Sequence, residues 1–165
     1  MDFMSTGKTY RDYASLTEAA RSGELDGDIF HGSELIKFRK GSQTNVQNRP
    51  RLTNAEVIQA LSTAKVVVIP VADPPEPNGL TGITELADAV AIGKPIVMTK
   101  NALLPVDIEA LGIGVVVPEG ADPGTLLSAI RRAQSVNRKT ILRVSEEWNA
   151  RNFSRSMLDI FQSVL

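Results

Sequence analysis

Hydrophobic residues follow two different spacings along this chain. Unbroken apolar runs predict strands buried on both faces, as in a parallel sheet covered by helices, and they lie at residues 65–70, 95–99 and 113–117. Apolar residues at helical spacing predict amphipathic helices at residues 10–21, 54–63, 82–92 and 122–135, with further helical segments at 139–150 and 154–164. Shorter strands are predicted at residues 2–5 and 28–31. The alternation of strands and helices predicts a doubly wound parallel sheet in three layers, a single Rossmann-like α/β domain.

Local signals set the ends of several elements. Thr53, followed by Glu56 three residues later, matches a capping box at the start of a helix. Gly93 is placed to end the helix at residues 82–92. Residues 73–79 contain three prolines and are predicted to form a loop. Residues 37–51 are polar, and we interpret them as a loop around one weak strand near Val46.

Composition narrows the class of protein. The 165 residues are the size of one domain, and a net charge of −1 gives no field that draws the molecule to nucleic acid or membrane. The absence of cysteine excludes a disulfide framework and a thiolate zinc site, and no His, Asp and Glu cluster has metal-ligand spacing. No apolar run approaches the roughly 18 residues that span a bilayer. We expect a cytoplasmic protein, and the start directly on a strand indicates a piece of something longer.

Three loops are predicted at the carboxyl ends of the strands, where ligands bind to such a sheet; they span residues 6–11, 71–84 and 99–105. The second loop ends in Asn78-Gly79-Leu80-Thr81-Gly82-Ile83-Thr84 and leads straight into a helix. Its glycines let the backbone approach a ligand, and the N–H groups at a helix start favour an anion. The alternative is a plain capped helix start, with Glu85 folding back on the cap.

Acidic and basic residues flank these loops. Glu85 and Asp88 lie three residues apart on the polar side of the helix, where a carboxylate can accept hydrogen bonds from a ribose diol, or can simply face solvent. In the first loop, Lys8 and Arg11 can add positive charge toward a pyrophosphate. Arg11 can instead pair with Asp12 or another nearby acid.

Other noticeable residues have simpler interpretations. His31, the single histidine, stands at a strand end, where packing or hydrogen bonding is commoner than ligand contact. The basic run Lys37, Arg39 and Lys40 is typical of a solvated face. Trp148 is predicted to pack its helix against the body of the domain.

The order of these motifs resembles the C-terminal domain of GT-B glycosyltransferases, in particular the large retaining group 1 family. The likeness rests on a strand that ends at Pro70, a variable loop, a glycine-bearing turn, and a helix that leads to Gly93-Lys94-Pro95. The turn at residues 6–13 resembles the family's opening Gly-Lys/Arg-x-x-Arg-Asp turn, and residues 112–122 resemble its later Val-Pro-x-Gly-Asp segment. The likeness covers nearly the whole chain.

The resemblance implies a nucleotide-sugar site composed of Gly7, Lys8, Arg11, Gly79, Leu80, Thr81, Gly82, Thr84, Glu85 and Asp88. Asp88 stands where the family's acidic residue binds the ribose hydroxyls. The turn at residues 79–84 matches the one whose amides hold the donor phosphates, and the turn at residues 7–11 faces the diphosphate from the other side. Thr81 stands where the family has a second glutamate, so the catalytic residues are unassigned; Glu85 and Glu76 are the candidate replacements.

The resemblance further implies a function. Residues 1–165 would be the donor-binding domain of an enzyme that moves a sugar from a nucleotide diphosphate sugar to an acceptor in glycan or polysaccharide synthesis. No cofactor or metal is implied. The partner would be an N-terminal acceptor-binding domain, which would make any contact with the inner membrane face, and this chain alone would be inactive. Two alternatives stay open: a stand-alone nucleotide-binding module that acts with a separate chain, and a sugar-nucleotide epimerase of the same fold.

Overall fold

The computed structural model describes residues 1–7, 10–48, 52–72, 81–101, 104, 106–149 and 151–152. The seven named strands are β1 (Phe3–Thr6), β2 (Gly27–His31), β3 (Glu34–Phe38), β4 (Asn45–Asn48), β5 (Val66–Ile69), β6 (Ile96–Thr99) and β7 (Gly114–Val117). The named helices are α1 (Tyr13–Ser22), α2 (Asn54–Thr63), α3 (Ile83–Ala91), α4 (Pro123–Ala133) and α5 (Arg138–Glu147). The predicted helical segment at 154–164 lies outside the described residues.

The strands form one sheet in the order β4-β3-β2-β1-β5-β6-β7. Strands β2, β1, β5, β6 and β7 are parallel to one another, which confirms the predicted Rossmann-like α/β architecture. The chain adds strands on one side of β1 up to β4, and then returns to add β5, β6 and β7 on the other side. This reversal makes the gap between β1 and β5 the topological switch point of the sheet.

The core lies on both faces of the sheet, because successive residues of a strand point to opposite sides. On β5, Val66 and Val68 join the cluster that packs against α1 and α4. Val67 and Ile69 join the cluster on the other face, which packs against α2, α3 and α5. The strand residues are therefore apolar at every position, and the predicted three layers are confirmed.

The sheet differs from the predicted all-parallel arrangement at one side. Strands β3 and β4 are antiparallel to their neighbours, and β3 was not predicted as a strand. His31 pairs with Glu34 across the two-residue turn formed by Gly32 and Ser33, and Gly32 has a φ of 64° there. A glycine followed by serine between two strands is a known hairpin signal. The hairpin was nevertheless missed, because the polar residues 37–51 were interpreted as a loop.

Helix boundaries follow their capping residues. The Thr53–Glu56 capping box is present at the start of α2, as predicted. Helix α1 begins at Tyr13 instead of Tyr10, because the Asp12 side chain accepts a hydrogen bond from the Ser15 N–H and caps the helix there. No helix in the described part of the chain is long and apolar enough to cross a bilayer.

Candidate functional site

The candidate site lies where β1 and β5 separate. Phe3 and Met4 pair with β5, whereas β1 continues to Thr6. Beyond Met4, the buried Ser5 hydroxyl donates a 2.6 Å hydrogen bond to the Val68 carbonyl. This place, between the loop that follows β1 and the start of α3, is the switch point where a sheet of this topology binds ligands, and we refer to it as the crevice.

The segment after β1 is tied to the end of β5. The Asp12 N–H donates to the Pro70 carbonyl at 2.8 Å, and the Ala72 N–H donates to the Tyr10 carbonyl at 2.9 Å. Tyr10 holds a φ of 53°, which is uncommon for a residue with a side chain. The three residues that precede α1 therefore form a short antiparallel link across the crevice.

Gly7 begins the turn at the end of β1, and its carbonyl is fixed by α1. The Tyr13 hydroxyl donates to that carbonyl at 3.1 Å. Burial raises the pKa of Tyr13 to about 12, so the phenol is neutral and able to donate at physiological pH. The exposed His31 packs its ring against the Tyr13 ring, with centroids 5.2 Å apart. His31 therefore makes the packing contact that was expected of it.

Arg11 and Glu85 form an ion pair across the crevice. The Arg11 Nη2 lies 2.8 Å from the Glu85 Oε1, and the two side chains are 5% and 16% exposed. Glu85 therefore does not fold back on a helix cap, and the nearby acid considered as a partner for Arg11 is Glu85 instead of Asp12. A Cβ on Gly7 would lie 2.8 Å from both the Arg11 Nε and the Glu85 Oε1. With its φ of 123°, this position requires glycine.

Helix α3 begins at the crevice without a side-chain cap. Gly82 is its N-cap, has a φ of 86°, and supplies no side-chain hydrogen bond. The first N–H groups of a helix have no acceptor within the helix, so this end is suited to an anion. Thr81 is buried beside Gly82, and Thr84 is exposed in the first turn.

Asp88 lies one turn beyond Glu85. Its pKa is raised, first by burial and second by the negative charge of Glu85. No described residue hydrogen-bonds its carboxylate. A partly buried acid of this kind is a common feature of ligand sites.

Buried polar residues mark the same edge of the sheet. In the described part of the chain they are Ser5, Thr6, Thr81 and Thr99. Thr6 ends β1 and Thr99 ends β6, and neither was singled out from the sequence, because a lone threonine at a strand end gives no signal. A cavity of about 530 Å³ adjoins Thr99 and Met98. Within the described residues, no group of three or more His, Asp or Glu side chains is arranged to hold a metal ion.

The structure thus brings together described members of the predicted site. Gly7, Arg11 and Glu85 are in contact, and Gly82 and Asp88 lie on the same helix as Glu85. Predicted site residues outside the described residues are Lys8, Gly79 and Leu80. The basic run ends at the opposite edge of the sheet, because Arg39 donates to the carbonyl of Gly27, the first residue of β2. Trp148, which was predicted to pack against the body of the domain, is 41% exposed and therefore only partly covered.

Comparison with known proteins places the fold in a class. No protein-family model matches the sequence, and none of the curated proteins compared with it matches. The mostly parallel sheet and its flanking helices form a Rossmann-like α/β fold of the kind found in GT-B glycosyltransferases.

Two of the solved structures that it resembles are glycosyltransferases. Spinosyn rhamnosyltransferase SpnG matches with a TM-score of 0.55 and 14% identity, over 90% of this chain and 41% of its own. Glycosyltransferase SnogD from Streptomyces nogalater matches with a TM-score of 0.48 and 17% identity, over 88% of this chain and 38% of its own. At 14% identity, the likeness to SpnG shows the fold alone. The chain spans less than half the length of either protein.

Proposed function

We propose that this chain is the donor-binding part of a glycosyltransferase that moves a sugar from a nucleotide diphosphate sugar to an acceptor. The observation that carries the proposal is the crevice at the switch point, where the Gly7 turn and the uncapped start of α3 face each other. A sheet of this topology binds ligands at that place. The SpnG fold likeness supports the proposal.

Each side of the crevice has a proposed role. The N–H groups at the start of α3 and the Arg11 guanidinium would bind the donor diphosphate, with Lys8, Gly79 and Leu80 as proposed contributors. Asp88 would accept hydrogen bonds from the ribose hydroxyls. When the nucleoside diphosphate leaves the anomeric carbon, negative charge develops on its phosphate oxygens. N–H donors already aimed at those oxygens would lower the barrier, because they need no reorganisation during the reaction.

The acceptor site is proposed to lie elsewhere in the complete enzyme. The chain spans 41% of SpnG, so a second domain or chain would supply the acceptor pocket and the remaining catalytic groups. The retaining stereochemistry, the group 1 family and a part in polysaccharide synthesis stay predictions from the sequence. On this proposal the chain binds nucleotide weakly and transfers no sugar alone.

Titration calorimetry with UDP, GDP and ADP tests the proposal. We expect the wild-type chain to bind at least one of them more tightly than the matching monophosphate, because the crevice is proposed to bind a diphosphate. Asp88→Ala should weaken that binding by about tenfold or more, equivalent to about 1.4 kcal/mol. Glu18→Ala is the matched control, since Glu18 is an exposed acid on α1, on the other face of the sheet. Equal binding by the Asp88 variant and the control would remove Asp88 from the site, and no binding of any diphosphate would refute the proposed function.

A further inference from the structure

The proposed phosphate-binding cation at the crevice is the Arg11 guanidinium. Glu85 already forms an ion pair with it. The Arg11 side chain is only 5% exposed while Glu85 lies 2.8 Å from its Nη2. Gly7 packs against the same guanidinium from the β1 side, since a Cβ on Gly7 would lie 2.8 Å from the Arg11 Nε. In this arrangement little of the guanidinium surface is open to an incoming ligand.

The charges of the described residues also oppose an anion. Among these residues at the crevice, Arg11 contributes one positive charge, whereas Glu85 and Asp88 contribute two negative charges when both are ionised. The two acids already influence each other, because the charge of Glu85 raises the pKa of Asp88. A diphosphate that enters the crevice would bring further negative charge toward both carboxylates, and like charges at such distances repel.

We propose that Glu85 is an autoinhibitory carboxylate that holds Arg11 before a ligand binds and must yield the guanidinium to the diphosphate of that ligand. Glu85 takes the place of a phosphate oxygen, because an arginine guanidinium binds carboxylate and phosphate with similar geometry. The inference rests on the proposed function and assigns Glu85 a competing role within that site instead of a ligand contact. Nucleotide affinity then depends on how much more strongly Arg11 binds the diphosphate than the Glu85 carboxylate.

A simple positioning role for Glu85 leads to the opposite expectation. If Glu85 only orients Arg11 for the ligand, its neutralisation would leave the guanidinium misplaced and would weaken binding. If Glu85 competes, Glu85→Gln would keep a similar shape and one hydrogen-bond acceptor but remove the charge, and binding would strengthen. The direction of the change in affinity therefore separates the two roles.

The test is calorimetry on the 165-residue chain with UDP, GDP, ADP and inorganic pyrophosphate, in EDTA and at low salt. For the nucleotides and pyrophosphate that bind the wild type, we expect Glu85→Gln to bind about tenfold more tightly. Glu18→Gln is the matched control, because it removes one exposed acid on α1; it should change the affinity less than about twofold. Unchanged or weaker binding by Glu85→Gln, when the wild type binds, overturns the competing role but leaves the proposed function standing. Absence of binding by both proteins overturns both.

A second measurement does not depend on any variant. In the wild type, NMR titration with whichever of these probes binds would follow the Arg11 Nε–H and the Glu85 side-chain carboxyl carbon. We expect both resonances to shift together as the phosphate replaces the carboxylate. Binding that leaves both resonances unmoved would show that the ion pair persists in the complex, and the inference would be refuted.

Discussion

Tyr13 donates its hydroxyl hydrogen bond to the carbonyl of Gly7, at 3.1 Å. The first residue of α1 thereby holds the first residue of the turn that follows β1. The buried Tyr13 side chain belongs to the core cluster that α1 and α4 form, on the face opposite α3. The Tyr13 hydroxyl therefore connects the core on the α1 and α4 face of the sheet with the turn at the crevice.

Replacement of Tyr13 by phenylalanine tests this connection. The ring would keep its packing, but the Gly7 carbonyl would lose a donor, so we expect the free energy of unfolding to fall by about 1 kcal/mol at pH 7. Urea unfolding measures the change. Tyr10→Phe is the control, since Tyr10 is 37% exposed, and it should change stability by less than about 0.5 kcal/mol. Equal losses of unfolding free energy in the two variants would show that the Tyr13 hydroxyl does not stabilise the fold.

Because of Tyr13, we also expect the stability of the fold to depend on pH in the alkaline range. Burial raises the pKa of Tyr13 from 10.0 to about 12. Between these two values the unfolded chain loses the phenolic proton while the folded chain keeps it, so ionisation favours the unfolded state. Wild-type stability should therefore fall as pH rises from 10 to 12, by up to about 2–3 kcal/mol more than that of Tyr13→Phe. Urea unfolding at pH 8, 10, 11 and 12 compares the two proteins, and parallel curves would contradict the shift.

Gly7 should not tolerate a side chain. Alanine there would adopt a φ of 123° and place its Cβ 2.8 Å from both Arg11 and Glu85. We expect Gly7→Ala to cost about 2–3 kcal/mol, from strain and from displacement of the ion pair. Gly41→Ala separates the two causes, because Gly41 has a φ of 72° but a Cβ added there would meet no heavy atom within 4 Å; it should cost about 1 kcal/mol. Thermal unfolding of both variants would show no difference if the contacts with the ion pair were unimportant.

The Arg11–Glu85 pair should contribute to stability as a unit. Arg11→Ala would leave a largely buried carboxylate without this partner, and we expect a loss of about 3 kcal/mol. The double variant Arg11→Ala/Glu85→Ala should lose less than the two single variants together, with a coupling of about 1–3 kcal/mol. Chemical unfolding of the four proteins completes the cycle. Additive losses would indicate that the two charges do not interact significantly.

The architecture was predictable because its strongest signals are local in sequence. The run at β5 is apolar at every position, which only a strand covered on both faces requires, and the Thr53–Glu56 box marked the start of α2 directly. The hairpin of β2 and β3 was missed although Gly32 and Ser33 gave the turn signal. The residues of β3 do not alternate strictly, since two successive half-buried residues lie between its buried ones. The sequence therefore shows no clear period of two at this strand.

The site was predictable as a place but not as a set of contacts. The glycines of the two turns indicated where the backbone would come close, and the structure brings Gly7 against Arg11 and Glu85. The partner of Arg11 lies 74 residues away in sequence, so no local pattern favoured Glu85 over Asp12. The role of the Tyr13 hydroxyl was equally hidden, because its spacing in α1 predicted only an apolar contact.

Nucleotide binding should not require a divalent metal ion. The proposed diphosphate ligands are N–H donors at the start of α3 and the Arg11 guanidinium, which already supply positive potential. We therefore expect the dissociation constant of the best-bound diphosphate to agree within about twofold in EDTA and in Mg²⁺. Calorimetry in the two buffers measures this, with Asp88→Asn compared in parallel, because Asp88 lies on the helix whose start is proposed to bind the phosphates. A large gain in affinity with Mg²⁺ that disappears in Asp88→Asn would instead assign Asp88 to a metal ion that bridges protein and diphosphate.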